Sequence, residues 1–317
     1  MPDSSVIVSA AANIALIKYW GKSDQPGNQP ATASLSVGLE DLRTITRVSV
    51  SETDAIIGEL GEQGRARLSS FINRFREEHG IQQALNVSTE NNFPTASGLA
   101  SSASGFAAIT LALTHLFKPE MTDLEKSQVA RQGSGSAARS VYGGYVEVVL
   151  SDDSYAQPVM PAEDWPLDVL VAVVQENSKA MGSSEAMKHT AATSPVYADW
   201  IDTHKADMDI ARSAIAERDF VKLADISEHS CLKMHSTMMT SRPPVLYWKP
   251  ATVSIIHLAQ HLRAAGTQVF FTIDAGAQVK LICAPEDTQT VVRALDAVEG
   301  ISRLIKTRIG GEPRISQ

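Results

Sequence analysis

Asn91 to Gly105, NNFPTASGLASSASG, holds two glycines, three alanines, four serines and one threonine in fifteen residues. The apolar run Phe106-Ala-Ala-Ile-Thr-Leu-Ala-Leu113 follows at once and reads as a buried helix. A helix start leaves backbone N–H groups unpaired and carries a partial positive charge, so it attracts anions. Gly98 and Gly105 allow close approaches that a Cβ would block, and Ser101, Ser102 and Ser104 add hydroxyls that can reach a phosphate or its Mg²⁺. Such a loop could cradle a nucleotide triphosphate without a lysine of its own. It does not match the GxxxxGK[ST] phosphate loop, which excludes that class. The same composition also suits a helix start whose small residues only permit tight packing.

Around this stretch, 317 residues suffice for one large α/β domain or two ordinary ones with a substantial core. An apolar content of 44% with 20% charged residues excludes a disordered or fibrous chain. The net charge of −8 repels nucleic acid and anionic membranes, so neither is an expected partner, and an anionic ligand would need a local cationic pocket. Cys231 and Cys283 make no disulfide framework or zinc cluster, which suits a reducing cytoplasm. The first residues lack a basic start followed by an apolar stretch, and no run of eighteen apolar residues occurs; a cytoplasmic protein is expected.

Val6–Ala10, Asn13–Ile17, Leu42–Val50, Leu85–Ser88, Tyr145–Leu150 and Leu167–Val174 read as strands. Leu68, Phe71, Ile72 and Phe75 fall at helical spacing and predict a helix from about Arg65 to Glu78. Thr122-Asp-Leu-Glu125 is a capping box that opens another. Past Gln175 the spacing is mostly helical: Ser184–Ala192, Val196–Ala216, Phe220–Met234, Ala251–Ala264 and Asp287–Val298. Between the last two, Gln268–Ile273 and Val279–Cys283 predict strands flanking Asp274-Ala-Gly276. A strand-rich first half and a helix-rich second half imply an α+β protein of two joined lobes, 1–165 and 166–317, divided near Asp152–Pro166.

Three further stretches carry chemistry. NIALIKYWGK, Asn13 to Lys22, sets an amide, two lysines and adjacent aromatics beside a strand. Lys18 and Lys22 could pin a diphosphate while Tyr19 and Trp20 wall off an apolar portion, or they could be solvated lysines beside core aromatics. Gln132-Gly-Ser-Gly-Ser-Ala-Ala-Arg139 brings two serines and a guanidinium fork that could converge on a carboxylate, or forms a surface turn. In Phe271-Thr-Ile-Asp274-Ala-Gly276 a carboxylate at a strand end could orient or deprotonate a hydroxyl, or serve only the turn.

The spacing Pro94-x-x-x-Gly98-Leu99-x-Ser101-Ser102-Ala103 resembles the nucleotide loop of the GHMP kinase superfamily. With NIALIKYWGK, ENNFPTASGLASSASGFAA, GSGSAARSVYGGYVE and the IDAG turn, in that order, the chain resembles the diphosphomevalonate decarboxylase family from about Val8 to Ala284. Weaker echoes are Gly182-Ser-Ser-Glu-Ala-Met187, Met234-His235 and Pro243-Pro244. The resemblance implies a GHMP kinase-like two-lobed fold, with an N-terminal ribosomal S5 domain 2-like lobe, a C-terminal ferredoxin-like lobe and a deep cleft between. It implies ATP and Mg²⁺, a small-molecule substrate and a homodimer. The activity implied is phosphorylation of the 3-hydroxyl of mevalonate 5-diphosphate, then loss of phosphate and CO₂ to give isopentenyl diphosphate and ADP.

By resemblance, Asp274, Lys18, Arg139 and Asn13 are the catalytic set, with Lys18 near Asp274. Arg139, Ser134 and Ser136 would hold the substrate carboxylate, with Asn13 at the same end. Tyr19, Lys22 and Ser183 would take the diphosphate, joined by Arg67 or Arg74. Pro94, Ser97, Gly98, Leu99, Ala100, Ser101, Ser102 and Ser104 would bind ATP, with Ser101 and Ser102 also reaching its Mg²⁺. The chain departs from the family pattern at Ala11-Ala12, where Ala-Pro is usual, and at Ala277-Gln278-Val279, where Pro-Asn-Ala follows the Asp-Ala-Gly turn. The second departure raises decarboxylation of mevalonate 5-phosphate, or a mevalonate 3-kinase, as alternatives. Retention of Asp274 favours decarboxylation, because 3-kinases of this lineage differ there. A catalytically silent ligand binder is a third reading, disfavoured because Asp274, Arg139 and the loop serines are all present.

Overall fold

A computed structural model describes residues 5–93, 101–174 and 181–316. The chain order is β1 (Ser5–Ile17), β2 (Ser34–Ser51), β3 (Ala55–Ile57), α1 (Gly61–His79), β4 (Ala84–Asn91), α2 (Ser101–Phe117) and α3 (Asp123–Gly133). A 3₁₀ turn (Ala137–Val141) leads to β5 (Tyr145–Val149), β6 (Tyr155–Met160) and β7 (Asp168–Val173). Then come α4 (Ser183–Thr193), α5 (Tyr197–Glu217), α6 (Phe220–Met239), α7 (Pro250–Ala264), β8 (Val269–Ile273), β9 (Val279–Cys283), α8 (Thr288–Leu295), β10 (Arg303–Arg308) and β11 (Arg314–Ser316).

The first sheet runs β11-β1-β2-β4-β3, and β2 is long enough to pair β4 through its second half and β5 through its first. Val6, Val8 and Ala10 of β1 pack under Phe71 and Phe75 of α1 and the alanine-rich α2. The second sheet, β10-β7-β9-β8, carries α7 and α8 over Leu170, Ala172 and Leu281. The other face of β7, Val169, Val171 and Val173, joins Ile14, Leu35 and Val37 of the first sheet and Ala211 and Leu223 of α5 and α6 in one apolar cluster. Strand β7 is therefore buried on both faces, as its unbroken apolar run requires. The two sheets share a core, and their adjoining strand ends form the walls of a cleft.

Several expectations shift. The two apolar runs at the start are one strand, β1, with register irregularities between Ala11 and Asn13 and between Ala15 and Ile17. Gly38 faces Asn13 there, and a Cβ on it would lie 2.4 Å from the Gly310 carbonyl oxygen. The segment expected to divide the lobes holds β6, which pairs with β5 in the first sheet. Strands β3, β10 and β11 lie outside the sequence expectation. They are short, and β10 alternates around charged residues at a sheet edge, where a period-2 pattern is weak. The capping box at Thr122 and Glu125 forms as expected.

Candidate active site

The cleft is centred on Asp274, the first residue after β8. Ile273 is pinned from α6: its N–H donates to Cys231 Sγ at 3.2 Å, and its carbonyl accepts from His235 Nε2 at 3.2 Å. Burial above all, with the Lys18 and Lys280 ammoniums nearby, pushes His235 down to about 3, so the ring is neutral and Nε2 carries the proton. Lys18 follows β1, its N–H bonded to Ser230 Oγ at 3.0 Å and its ammonium 2.8 Å from Asp274 Oδ1. A second ammonium, Lys280 Nζ, lies 3.1 Å from Oδ2. Both lysine side chains are 1% exposed, whereas Asp274 keeps 27% exposure toward the cleft. Burial alone would raise the Asp274 carboxyl; the two ammoniums override it and hold the group far below the usual carboxylate range.

Lys280 was not among the candidates. Its signal was a lysine inside the otherwise apolar strand VKLIC. Lys280 pairs with Thr272 across the β8–β9 ladder, and Asp274 is two residues beyond Thr272, so all three share a face.

Arg139 lies on the 3₁₀ turn and is 4% exposed. Its Nε donates to Asn13 Oδ1 at 3.1 Å and its Nη1 to Ser34 Oγ at 2.6 Å, which leaves Nη2 for the cavity. Asn13 Nδ2 in turn donates to the Ser136 carbonyl and to Ser140 Oγ at 3.0 and 2.8 Å. Burial lowers Arg139 to about 10, with Asp274 opposing the shift, so it stays charged at neutral pH. Ser134 links Ser136 to Ser102 through two hydroxyl contacts of 3.3 Å.

At the far end, Lys22 Nζ donates to Asn28 Oδ1 at 2.7 Å and Ser184 Oγ at 3.3 Å. Burial first, then the Arg67 and Lys188 charges, lower its pKa, so the corner is starved of negative charge. Arg67 lines this cavity, whereas Arg74 points to Glu78 on the helix surface, so Arg67 is the arginine that reaches the site. The Tyr19 hydroxyl is buried with no hydrogen-bond partner among the described residues, and burial pushes it up to about 12. A methyl on Gly135 would meet that oxygen at 2.5 Å, so the glycine keeps the space open. Ser183 opens α4 on the same wall. Trp20 backs the wall from the core, its Nε1–H donating to Thr190 Oγ1 at 2.8 Å.

Asn13, Lys18, Tyr19, Lys22, Arg67, Ser134, Ser136, Arg139, Ser183 and Asp274 thus enclose a single cavity of about 520 Å³. A second cavity, of about 780 Å³, lies over β2 and β4 and shares Arg67, Ser101 and Ser102 with the first. The first turn of α2, at the junction, has no acidic residue. Ser104 does not belong to this surface: it is fully buried and bonded to Thr44 Oγ1 at 2.6 Å, because the helix turns it toward β2. Pro94, Ser97, Gly98, Leu99 and Ala100 lie outside the described residues. Gln278 is turned away too, its Oε1 accepting from the Val174 N–H at 2.6 Å, and neither it nor Ala277 lines the cavity.

Fold and cleft together define an enzyme of the two-lobed GHMP kinase-like class, with the Asp274 carboxylate set among cations that suit a polyanionic small molecule. Residues 10–156 match the diphosphomevalonate decarboxylase-like N-terminal domain and residues 169–316 the mevalonate 5-diphosphate decarboxylase C-terminal domain. The chain belongs to the diphosphomevalonate decarboxylase family. It is 34% identical to the diphosphomevalonate decarboxylase of Gibberella zeae over 95% of this chain and 87% of that one. The mevalonate diphosphate decarboxylase structure from Staphylococcus aureus is 33% identical, with a TM-score of 0.92 over 99% of this chain and 98% of that one. A structure described as MDDEF in complex with MVAPP, AMPPCP and magnesium is 32% identical, with a TM-score of 0.90 over 99% of both chains.

Proposed function

We propose that the enzyme converts mevalonate 5-diphosphate and ATP to isopentenyl diphosphate, ADP, phosphate and CO₂. The observation that carries this reading is Asp274, facing the cavity between two buried ammoniums and in the same cavity as the Arg139 fork. Arg139 Nη2 holds the substrate carboxylate, with Asn13 and Ser34 fixing the guanidinium plane. Lys22, Arg67, Tyr19 and Ser183 take the 5-diphosphate, and the Tyr19 hydroxyl gains the partner it lacks. Asp274 accepts a hydrogen bond from the tertiary 3-hydroxyl and aims its oxygen at the phosphoryl donor. The new O–P bond forms as the donor's bond to ADP breaks, and the hydroxyl proton leaves late along the hydrogen bond to Asp274 and passes on to a phosphate oxygen, so little charge builds on the attacking oxygen. Departure of the 3-phosphate then breaks the C3–O bond. The electron pair of the bond to the carboxylate closes the double bond and CO₂ leaves. Asp274 stabilises the positive charge that develops at C3.

The donor set fits a nucleotide: serine hydroxyls at a helix start, an arginine beside them and no competing acid in the first turn. The described residues hold no cluster of three or more His, Cys, Asp or Glu that could cage a metal. Mg²⁺ would therefore be carried by phosphate oxygens, with Ser101 and Ser102 as hydroxyl ligands, and would neutralise phosphate charge. In this reading the enzyme is a cytoplasmic homodimer with lobes 1–165 and 166–317, a state that light scattering on the eluted peak reads directly.

Purified protein given Mg-ATP and mevalonate 5-diphosphate should release CO₂ and isopentenyl diphosphate. It should also show a higher kcat/KM for the diphosphate than for the monophosphate, since the Lys22–Arg67 corner exceeds what one phosphate needs. Folded protein that yields neither product would end the proposal.

A further inference from the structure

We infer that Lys280 is a positioning residue for this reaction: by holding Oδ2 while Lys18 holds Oδ1, it fixes the plane of the Asp274 carboxylate against the substrate hydroxyl. The inference rests on the function proposed above. Burying an ammonium is costly unless it is paired, and replacing a buried ion pair by apolar side chains is often neutral or stabilising. Strand β9 needs no lysine for its own sake. Val279, Leu281, Ile282 and Cys283 show what the strand packs with, and methionine would fill the same volume. Asp274 is the one acid the ammonium reaches among the described residues.

With Lys18 alone, the carboxylate would remain free to turn about its Cβ–Cγ bond, a broad torsion. Hydrogen-bonded to Lys18 through Oδ1 and ion-paired with Lys280 through Oδ2, which is buried without a hydrogen bond among the described residues, it is kept from turning. The groups that face the pair are Lys18 from β1, Arg139 from the 3₁₀ turn, Thr272 from β8, and Cys231 and the neutral His235 from α6. Three cations thus surround one carboxylate, and burial lowers the Lys280 ammonium while Asp274 opposes that shift. Lys280 also makes Asp274 a poor proton sink and a fixed acceptor.

The test compares wild type with Lys280→Met and Lys280→Gln, using Mg-ATP and mevalonate 5-diphosphate. Each folded variant should lose about 10- to 100-fold in kcat, while the KM for either substrate moves by less than about three-fold. Asp274 lies so far below the ordinary carboxylate range that it stays ionised with one ammonium removed, so the kcat loss should be the same across the neutral pH range. In the Asp274→Asn background, Lys280→Met should cost nothing further, because the lysine acts through that carboxylate. A near-wild-type kcat, an additive loss in the double variant, or failure of both single variants to fold would each overturn the inference. Absence of product from the wild type would instead strike the proposed function.

Discussion

Replacing Asp274 by asparagine tests whether the buried charges are balanced as described. The amide can still accept one hydrogen bond from Lys18 or Lys280, but it carries no charge, so both ammoniums lose their shared counter-charge in a site where each lysine is 1% exposed. Removing one partner of a buried ion pair costs about 3–5 kcal/mol. The escape route is deprotonation, which for an ordinary lysine at pH 7 costs about 4.6 kcal/mol, so the two limits agree. At roughly 1.5 °C per kcal/mol for a chain of 317 residues, the melting midpoint should fall by about 5–8 °C. The sign with pH follows from the lysine. Without its carboxylate, the folded-state pKa lies further below the unfolded value than burial already places it. The penalty is complete below the folded pKa and fades as pH rises toward about 10.4, because the unfolded chain then binds more protons. Thermal melts monitored by circular dichroism at pH 7, 8.5 and 9.5 should show the gap to wild type narrowing. Wild type should show no loss from this group between pH 4 and 7: Asp274 is depressed, so its stabilisation persists above the ordinary carboxylate pKa and is lost only as pH falls through its lower folded value. A variant melting within 2 °C or so of wild type at pH 7, or a gap unchanged at pH 9.5, would refute the charge balance.

Arg139→Lys keeps a cation but loses the Nε and Nη1 bonds to Asn13 and Ser34. Single-turnover assays should give a rate about 100-fold lower with nucleotide affinity unchanged, and a wild-type rate would remove the carboxylate-anchoring role. Ser104→Ala loses the bond to Thr44, which retains Asn91 as a partner, and a long one to the Ser101 carbonyl at 3.4 Å. Stability should drop by about 1 kcal/mol with no change in the KM for ATP, whereas a large rise in that KM would restore Ser104 to the nucleotide site.

Much of the fold was legible because its elements follow simple periods. Leu68, Phe71, Ile72 and Phe75 all face inward on α1, and Thr122 and Glu125 cap α3. What escaped depended on long-range pairing. The terminal strand β11 makes sense only beside β1, and the first half of β2, with Gly38 at its centre, reads as a strand only against β1 and β5. The same divide runs through the site. Asn13, Lys18, Arg139 and Asp274 lie in compact motifs and converge in one cavity. Ser104 looked like its neighbours at 101 and 102, and only the helical turn shows that it points the other way. Arg67 and Arg74 sit seven residues apart on α1, and what separates them is the loop end at Gly133, whose carbonyl accepts from Arg67 at 3.1 Å. Lys280 required the β8–β9 register.

The register also accounts for the tolerance of the turn that follows Asp274. The site requires a direction of that carboxylate, and the direction is set from outside the turn. Cys231 and His235 grip both polar groups of the Ile273 backbone, and Lys18 and Lys280 grip the two carboxylate oxygens. Ala277 and Gln278 carry none of those contacts. The Gln278 amide is spent on Val174, joining the turn to β7, so it alters the back of the site rather than its mouth. A change of residues there can therefore leave the acceptor geometry intact, whereas a change at Lys280, on β9 just beyond the turn, should not. The positions that decide this chemistry are those that restrain Asp274, and three of the four, Cys231, His235 and Lys280, lie on α6 and β9.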